Sequence, residues 1–214
     1  MPGLFITFEG IDLCGKSTQV RLLVEYLQNK DIEVVLSREP GGCPISEEIR
    51  KILLSREHIA MRPLTELLLY EAGRAQHTEE LIRPSLEAGK CVILDRYGDA
   101  SIAYQGWGRE LGADLVRGLN ELATGGLSPD ITILLDLSPE EAARRAPGEG
   151  WQADRLEGEV IEFHRRVREG YRQLIREEPD RVQLIDGRGP IDEIHRQIVD
   201  LIRPFLDSRF PHKI

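Results

Sequence analysis

The sequence predicts an α/β protein in which one parallel, five-stranded sheet is covered by helices on both faces. The first reason is alternation, because short β-rich runs are separated by longer segments with helical periodicity. The second is that Val92–Leu94 and Ile131–Leu135 are apolar on both sides, as in strands buried between two helical layers. Right-handed crossovers between such strands produce a doubly wound, three-layer fold.

Five strands are predicted in chain order. Leu4–Phe8 is an apolar run that leads into a glycine-rich turn, and Glu33–Ser37 ends near a Pro-Gly-Gly turn. Cys91–Asp95 and Ile131–Leu135 are the doubly apolar runs, and Val182–Ile185 is a short β-rich run. Ligands of such sheets bind beyond the carboxyl ends of the strands, so the residues that follow each strand are the first candidates for a site.

Helical patterns lie between these strands. In the first of them Val20, Leu23, Val24 and Leu27 recur at the spacing of one helix face. The predicted helices are Ser17–Lys30, Ser46–Leu54, Leu64–Ala88, Ala113–Thr124, Pro139–Arg145, Glu157–Glu177 and Ile191–Leu206. Residues 207–214 are expected to form a frayed tail.

The composition narrows the class of protein. A chain of 214 residues with 41% hydrophobic residues fits one globular domain spanning residues 1–214. A net charge of -9 argues against a general nucleic-acid binder, which needs a basic face. Three cysteines without metal-ligand or C-x-x-C spacing favour a reducing compartment. Neither a signal peptide nor a membrane-spanning run is recognisable, so a cytoplasmic location and no membrane partner are expected.

The segment Gly10–Ser17 reads G-x-x-x-x-G-K-S and follows the first predicted strand. Its glycines let several backbone N–H groups point at one anion, and the following helix adds partial positive charge. Lys16 is placed to reach the β- and γ-phosphates of a nucleotide, and the Ser17 hydroxyl to bind Mg²⁺. An ordinary glycine-rich turn has no need of Lys16 and Ser17 together, so a nucleoside triphosphate is the first candidate ligand.

Other polar residues are expected to meet at the same edge of the sheet. Asp95 ends a predicted strand, at a position where a carboxylate could bind Mg²⁺. Arg96 follows it and could bridge the transferring phosphoryl group and its acceptor. A surface ion pair at the strand end is the alternative.

Tyr70 and Arg74 share a helix face and could stack on a base and pair with a phosphate. Arg50 lies in the predicted helix that begins near Ser46, where the sequence alone favours a solvated helix arginine. For the other pair, a half-buried Tyr70 next to an exposed Arg74 fits the sequence at least as well.

A lid is predicted near residues 144–155. The stretch Pro147–Gly150 interrupts a helical pattern that carries Arg144 and Arg145, and Arg155 follows it. Mobile arginines of this kind can neutralise the charge of a phosphoryl group in transfer while closure excludes water. A solvated helix end is the alternative interpretation of the same three arginines.

Taken together, these residues resemble the thymidylate kinase family, which phosphorylates dTMP with ATP. The similarity covers nearly the whole chain. It is carried by Phe8–Asp12, Gly15–Gln19, Arg38–Gly42 with Arg50, Arg74–His77, Asp95–Tyr97, Ser101, Ala103–Gly106, Asp154–Glu157, and then Phe163–His164, Val167 and Gly170–Tyr171. The resemblance implies a P-loop nucleoside monophosphate kinase fold, ATP and Mg²⁺ as cofactors, and a homodimer.

The resemblance also implies roles for individual residues. The ATP phosphates would be held by Gly10, Ile11, Asp12, Leu13, Cys14, Gly15, Lys16, Ser17 and Thr18, and Mg²⁺ by Ser17 and Asp95. Arg96 and Arg74 would hold the dTMP phosphate, and Arg50 would lie near thymine O4. The remaining substrate contacts would come from Glu39, Pro40, Leu54, Tyr70, Ser101, Tyr104 and Gln105.

Members of the family supply a catalytic arginine either from the P-loop or from the lid. Leu13 occupies the P-loop position here, so the resemblance implies the bacterial type, in which Arg144, Arg145 or Arg155 acts together with Lys16, Asp12 and Arg96. Two other functions stay open at this stage, namely a kinase for another nucleoside monophosphate and a nucleotide-dependent switch protein.

Overall fold

The computed structural model describes residues 3–145 and 154–213 of the chain. Five parallel strands form one sheet in the order β2-β3-β1-β4-β5. They are β1 (Leu4–Glu9), β2 (Val34–Arg38), β3 (Cys91–Asp95), β4 (Ile131–Asp136) and β5 (Val182–Asp186). The predicted fold class and all five predicted strands are therefore confirmed, with ends that differ by at most one residue.

The helices surround this sheet. They are α1 (Lys16–Gln28), α2 (Pro44–Leu54), α3 (Pro63–His77), α4 (Arg83–Glu87), α5 (Gly98–Ser101), α6 (Ala113–Thr124), α7 (Pro139–Arg144), α8 (Ile161–Glu177) and α9 (Ile191–Arg209). A 3₁₀ turn spans Arg56–His58, and π-helical segments span Thr78–Ile82 and Ile102–Gly108.

The two faces of the sheet bury alternate residues of the central strands. Leu4, Ile6 and Phe8 join the main core cluster, to which α1 contributes Leu23 and Leu27. The intervening Phe5 packs in a second cluster with residues of β3 and α4. This alternation follows from the period of two in a strand, and it requires a helical layer on each face.

Two predicted helices differ from the structure, and one helical stretch was not predicted. The helix predicted over 64–88 is divided by the π-helical segment at Thr78–Ile82. The helix predicted from Glu157 begins at Ile161, because Asp154 Oδ1 accepts the N–H groups of Leu156 and Glu157 and closes a separate turn before it. The continuous helical stretch over residues 98–108 was not predicted.

The predicted frayed tail is also wrong in its first part. Helix α9 continues to Arg209, whose Nη2 donates to Asp130 Oδ1 at 3.0 Å and so ties the helix end to the loop before β4. The predicted lid over 144–155 falls largely on residues 146–153, which lie outside the described residues. The single-domain assignment stays a prediction.

Register brings the strand ends together. Phe8 of β1 and Arg38 of β2 both lie opposite Asp95 of β3. The residues that follow these three strands therefore open onto one edge of the sheet, where ligands of doubly wound folds bind.

Candidate active site

The loop between β1 and α1 forms a phosphate-sized cradle. Gly10, Leu13 and Gly15 have φ of 133°, 63° and 106°, in the region that favours glycine, and Leu13 adopts it without being one. A Cβ on Gly10 would lie 2.5 Å from the carbonyl oxygen of Leu135. Helix α1 begins at Lys16, so its unpaired N–H groups face the cradle, as in known anion sites at helix N-termini.

Two cationic side chains converge on this cradle. Nζ of Lys16 donates to the carbonyls of Gly10 and Ile11, both at 3.2 Å. Arg96 directly follows β3, and its guanidinium donates to Asp12 Oδ1 at 2.6 Å and to the Gly10 carbonyl at 2.8 Å. Burial would raise the pKa of the Asp12 carboxyl, but Arg96 and Lys16 outweigh it and hold that pKa at about 2.

Two tyrosine hydroxyls complete the setting of Arg96. Its guanidinium donates to the hydroxyls of Tyr104 and Tyr171 at 3.0 and 3.1 Å, and it lies 4.8 Å from the Tyr104 ring centre. Tyr171 in turn donates to Glu9 Oε2 at 2.7 Å, and the Tyr97 N–H donates to Glu9 Oε1 at 2.8 Å. Burial, reinforced by the nearby charge of Asp99, raises the pKa of Glu9 to about 7.

A cleft of about 470 Å³ extends from the cradle to a second wall, which is formed by Glu39, Arg50, Tyr70, Arg74 and Gln105. It brings together most of the predicted site residues. These are Asp12, Leu13, Gly15, Lys16, Ser17, Thr18, Glu39, Pro40, Arg50, Leu54, Tyr70, Arg74, Asp95, Arg96, Ser101, Tyr104 and Gln105. The three other predicted residues belong to the same loop but are buried beneath the surface of the cleft. They are Gly10, Ile11 and Cys14.

Arg74, which is predicted to hold the dTMP phosphate, is bound to protein groups through its whole guanidinium. Its five N–H groups are all donated to protein acceptors, and the side chain is 1% exposed. Two acceptors are the carboxylates of Glu39 and Glu71, at 2.9 and 2.6 Å. The pKa of Arg74 is raised because these carboxylates outweigh the effect of burial. A direct phosphate contact would replace one of these bonds, and the role of Arg74 at the phosphate stays a prediction.

Arg50 and Arg38 form a second cationic pair at the cleft. Arg50 Nη1 donates to the Pro40 carbonyl at 2.7 Å, where the Glu39–Pro40 peptide bond is cis. Burial, and then the like charge of Arg38, lower the pKa of Arg50. Two guanidinium groups at one cleft are a favourable place for an anion, and Arg38 already donates to the carboxylate of Glu47 at 3.2 Å. The placement of Arg50 near thymine O4 stays a prediction.

The three arginines predicted for the lid lie in different surroundings. Arg145 donates to the carbonyls of Gly187 and Cys14, at 2.8 and 3.5 Å, and so contacts the phosphate cradle. Arg144 donates to the Glu140 carbonyl on an exposed helix turn. Arg155 is nearly buried and donates to Leu53 and Glu66, on the side of the second wall.

The oxygen atoms available to a cation fit Mg²⁺. Asp95 and Ser17 both line the cleft, and Asp95 Oδ1 is buried with no hydrogen-bond partner in the described part of the structure. Mg²⁺ in nucleotide sites commonly takes one or two protein oxygens together with phosphate oxygens. One carboxylate and one hydroxyl beside a phosphate cradle match that donor set.

Sequence reasoning missed several cleft residues. The cleft is also lined by Arg38, Tyr97, Ala100, Asp154, Leu156 and Glu157. The Asp-Arg-Leu-Glu segment was a recognisable motif, but only its arginine was assigned to the site. Arg38 directly follows the predicted strand Glu33–Ser37, as Arg96 follows the predicted strand Cys91–Asp95, and so carried the same positional signal.

The thymidylate kinase family model matches residues 8–198 of this chain. The chain belongs to the thymidylate kinase family. It is 49% identical over 206 residues to the thymidylate kinase of Caldanaerobacter subterraneus subsp. tengcongensis, covering 96% of this chain and 98% of that protein. The thymidylate kinase of Symbiobacterium thermophilum is 47% identical, with 97% and 96% of the two chains covered.

A solved structure agrees with the family assignment. The crystal structure of thymidylate kinase from Ehrlichia chaffeensis matches with a TM-score of 0.76 and 35% identity, over 95% of this chain and 99% of that one. The predicted family and enzyme class, an ATP-dependent nucleoside monophosphate kinase, are confirmed. Among the described residues, no helix is both long enough and apolar enough to cross a membrane.

Proposed function

We propose that this thymidylate kinase transfers the γ-phosphoryl group of ATP to the phosphate of dTMP, forming dTDP. The supporting observation is that one cleft connects the Lys16 cradle to a second wall with its own cations and an aromatic ring. A donor nucleotide needs only the cradle. The second wall offers a cation (Arg50), an aromatic ring (Tyr70) and an amide (Gln105), and a second nucleotide that accepts the phosphoryl group would use all three.

Charge and shape divide the second wall into two parts. We place the acceptor phosphate between Arg96 and the Arg38/Arg50 pair, because these guanidinium groups line the cleft together. The base lies against the Tyr70 ring and near Gln105. Arg74 serves this acceptor site by fixing the wall rather than by contacting the phosphate.

Catalysis in this arrangement rests on positioning and charge. The acceptor is already an anion, so the reaction requires no strong general base. Lys16 and Arg96 bind the phosphates on either side of the transferring group, and Arg145 lies at the cradle where charge spreads during transfer. Bound Mg²⁺, held by Ser17 and Asp95, would neutralise phosphate charge and orient the donor.

A coupled assay with ATP and a panel of acceptors tests the proposal. We expect the highest kcat/KM with dTMP, and much lower values with dUMP, dCMP, dGMP and AMP. Higher activity with another monophosphate would make the chain a kinase of that substrate. Slow ATP hydrolysis unaffected by any monophosphate would favour a nucleotide-dependent switch. Arg50→Met should raise the KM for dTMP and leave the KM for ATP near that of the wild type.

We also propose that the enzyme is a cytoplasmic homodimer. The neighbouring helices α3 and α6 expose a set of large apolar side chains. They are Leu64 and Leu68 at 49% each, Leu115 at 47% and Leu122 at 80%. A second copy of the chain would remove this surface from water. All three cysteines are free, as expected in a reducing compartment.

A further inference from the structure

Glu66 is a fully buried carboxylate behind the base end of the cleft. It lies in the first turn of α3 and is 0% exposed. Its Oε1 accepts from Gln105 Nε2 at 2.9 Å and from Arg109 Nε at 3.1 Å. Its Oε2 accepts from Arg109 Nη2 at 3.0 Å and from Arg155 Nη1 at 2.6 Å. Three side chains from two parts of the chain, residues 105–109 and Arg155, are therefore oriented by one carboxylate.

The charge state of Glu66 is favourable for this task. Burial alone would raise its pKa, but hydrogen bonds from Arg109 and Gln105 and the charge of Arg109 outweigh it, and the pKa is lowered. An ionised carboxylate accepts hydrogen bonds and donates none. Gln105 must therefore turn its NH₂ group toward Glu66, and this leaves the carbonyl Oε1 as the opposite end of the amide.

Building on the proposed function, we propose that Glu66 is a positioning residue that sets which pyrimidines the cleft accepts. With its NH₂ group engaged, Gln105 presents an acceptor to the base. Thymine and uracil carry a donor at N3, whereas cytosine carries an acceptor there. An acceptor facing an acceptor leaves two desolvated groups unpaired, and such mismatches discriminate strongly between substrates. Glu66 thus selects pyrimidines that are protonated at N3, thymine and uracil, over cytosine, and does not separate dTMP from dUMP.

The same carboxylate connects base recognition to the segment that precedes α8. Arg155 is bound to Glu66 and also donates through Nε to the Leu53 carbonyl at 2.8 Å. Its neighbours Asp154 and Leu156 line the cleft. Loss of Glu66 therefore disturbs this segment as well as Gln105, and a test must separate the two effects.

Glu66→Gln is the most direct test. A neutral glutamine can turn its own NH₂ group toward Gln105, because its carbonyl is attracted to the two arginines. The Gln105 amide is then free to reverse and present a donor. We expect the ratio of kcat/KM for dTMP to that for dCMP to fall at least about tenfold. The change should reside mainly in the KM for dTMP, while the KM for ATP stays within about twofold of the wild type.

Glu159→Gln is the matched control. It weakens the 2.6 Å ion pair between Glu159 and Arg109 but leaves all four hydrogen bonds to Glu66 in place, and Glu159 does not line the cleft. It should leave the dTMP-to-dCMP ratio unchanged. A ratio that falls as far in Glu159→Gln as in Glu66→Gln would show a merely structural effect and overturn the proposal.

Two further measurements complete the design. If Glu66 acts through Gln105, the effects of Glu66→Gln and Gln105→Met on the dTMP-to-dCMP ratio will be strongly non-additive, and additive effects would overturn the proposal.

If Glu66→Gln does not fold, Glu66→Asp replaces it as the test. Aspartate keeps the charge, but its shorter side chain withdraws the carboxylate from Gln105, so the dTMP-to-dCMP ratio should still fall. An unchanged ratio would refute the positioning role of Glu66. If the wild type is inactive on dTMP, the proposed function is contradicted. If the wild type is active and Glu66→Gln has the same dTMP-to-dCMP ratio as the wild type, only the role of Glu66 is contradicted.

Discussion

The buried carboxyl of Glu9 predicts an unusual dependence of stability on pH. Its pKa is raised from the ordinary 4.5 to about 7 in the folded protein, mainly by burial. The folded state therefore holds a proton that the unfolded state has released between these pH values. The contribution of Glu9 to the free energy of unfolding is largest below pH 4.5 and falls as the pH rises toward 7.

The size of this effect follows from the separation of the two pKa values. At about 1.4 kcal/mol per pH unit, it corresponds to a loss of about 3 kcal/mol over the whole range. In Glu9→Gln the side chain keeps a carbonyl for the Tyr97 N–H, but it no longer titrates. The unfolding free energy of the wild type minus that of the variant should therefore fall as the pH rises.

Urea unfolding of both proteins between about pH 5 and pH 8 measures this difference. Every other titrating group is common to the two proteins, so its contribution cancels. Val116→Ala is the control: it removes buried apolar atoms of α6 and no side-chain hydrogen bond, and it should change stability by an amount independent of pH. If the difference in unfolding free energy between wild type and Glu9→Gln stays constant within about 0.5 kcal/mol over this pH range, the raised pKa of Glu9 is refuted.

Three other predictions concern catalysis, packing and assembly. Arg145→Ala should lower kcat at least about tenfold with little change in the KM for dTMP, whereas Arg165→Ala, at an exposed ion pair on α8, should match the wild type in steady-state assays. Gly42→Ala should lower the unfolding free energy by about 2 kcal/mol or more in urea titrations, since the added Cβ would lie 2.3 Å from a buried histidine nitrogen. Gly118→Ala, with nothing within 4 Å, should be neutral or stabilising. Leu68→Glu should shift the mass measured by light scattering from dimer to monomer, and an unchanged mass would place the interface elsewhere.

The sequence was sufficient for the parts of the fold that depend on local pattern. Apolar runs specified all five strands, and the spacing of Gly10, Gly15, Lys16 and Ser17 specified the phosphate cradle. The helix over 98–108 escaped prediction because its residues include three glycines and adopt π-helical hydrogen bonding in part, which does not follow the usual helical period.

The side-chain pairings of the second wall were beyond sequence reasoning. Arg74 meets Glu39 and Asn120, which are distant in sequence and brought near by the order of the strands. The importance of Glu66 was equally hidden, since a glutamate in the first turn of an amphipathic helix is ordinarily a solvated residue. Only the fold shows that this position faces inward, toward three donors.

The bonding of Arg74 has a consequence for how this wall can change by mutation. Because its guanidinium neutralises Glu39 and Glu71, replacing Arg74 alone would leave two carboxylates buried without a cation. Replacing either glutamate alone would leave the cation undercompensated. Functional variants should therefore arise through coordinated substitutions at these three positions, and libraries that vary them jointly should recover active enzymes that no single-site scan contains.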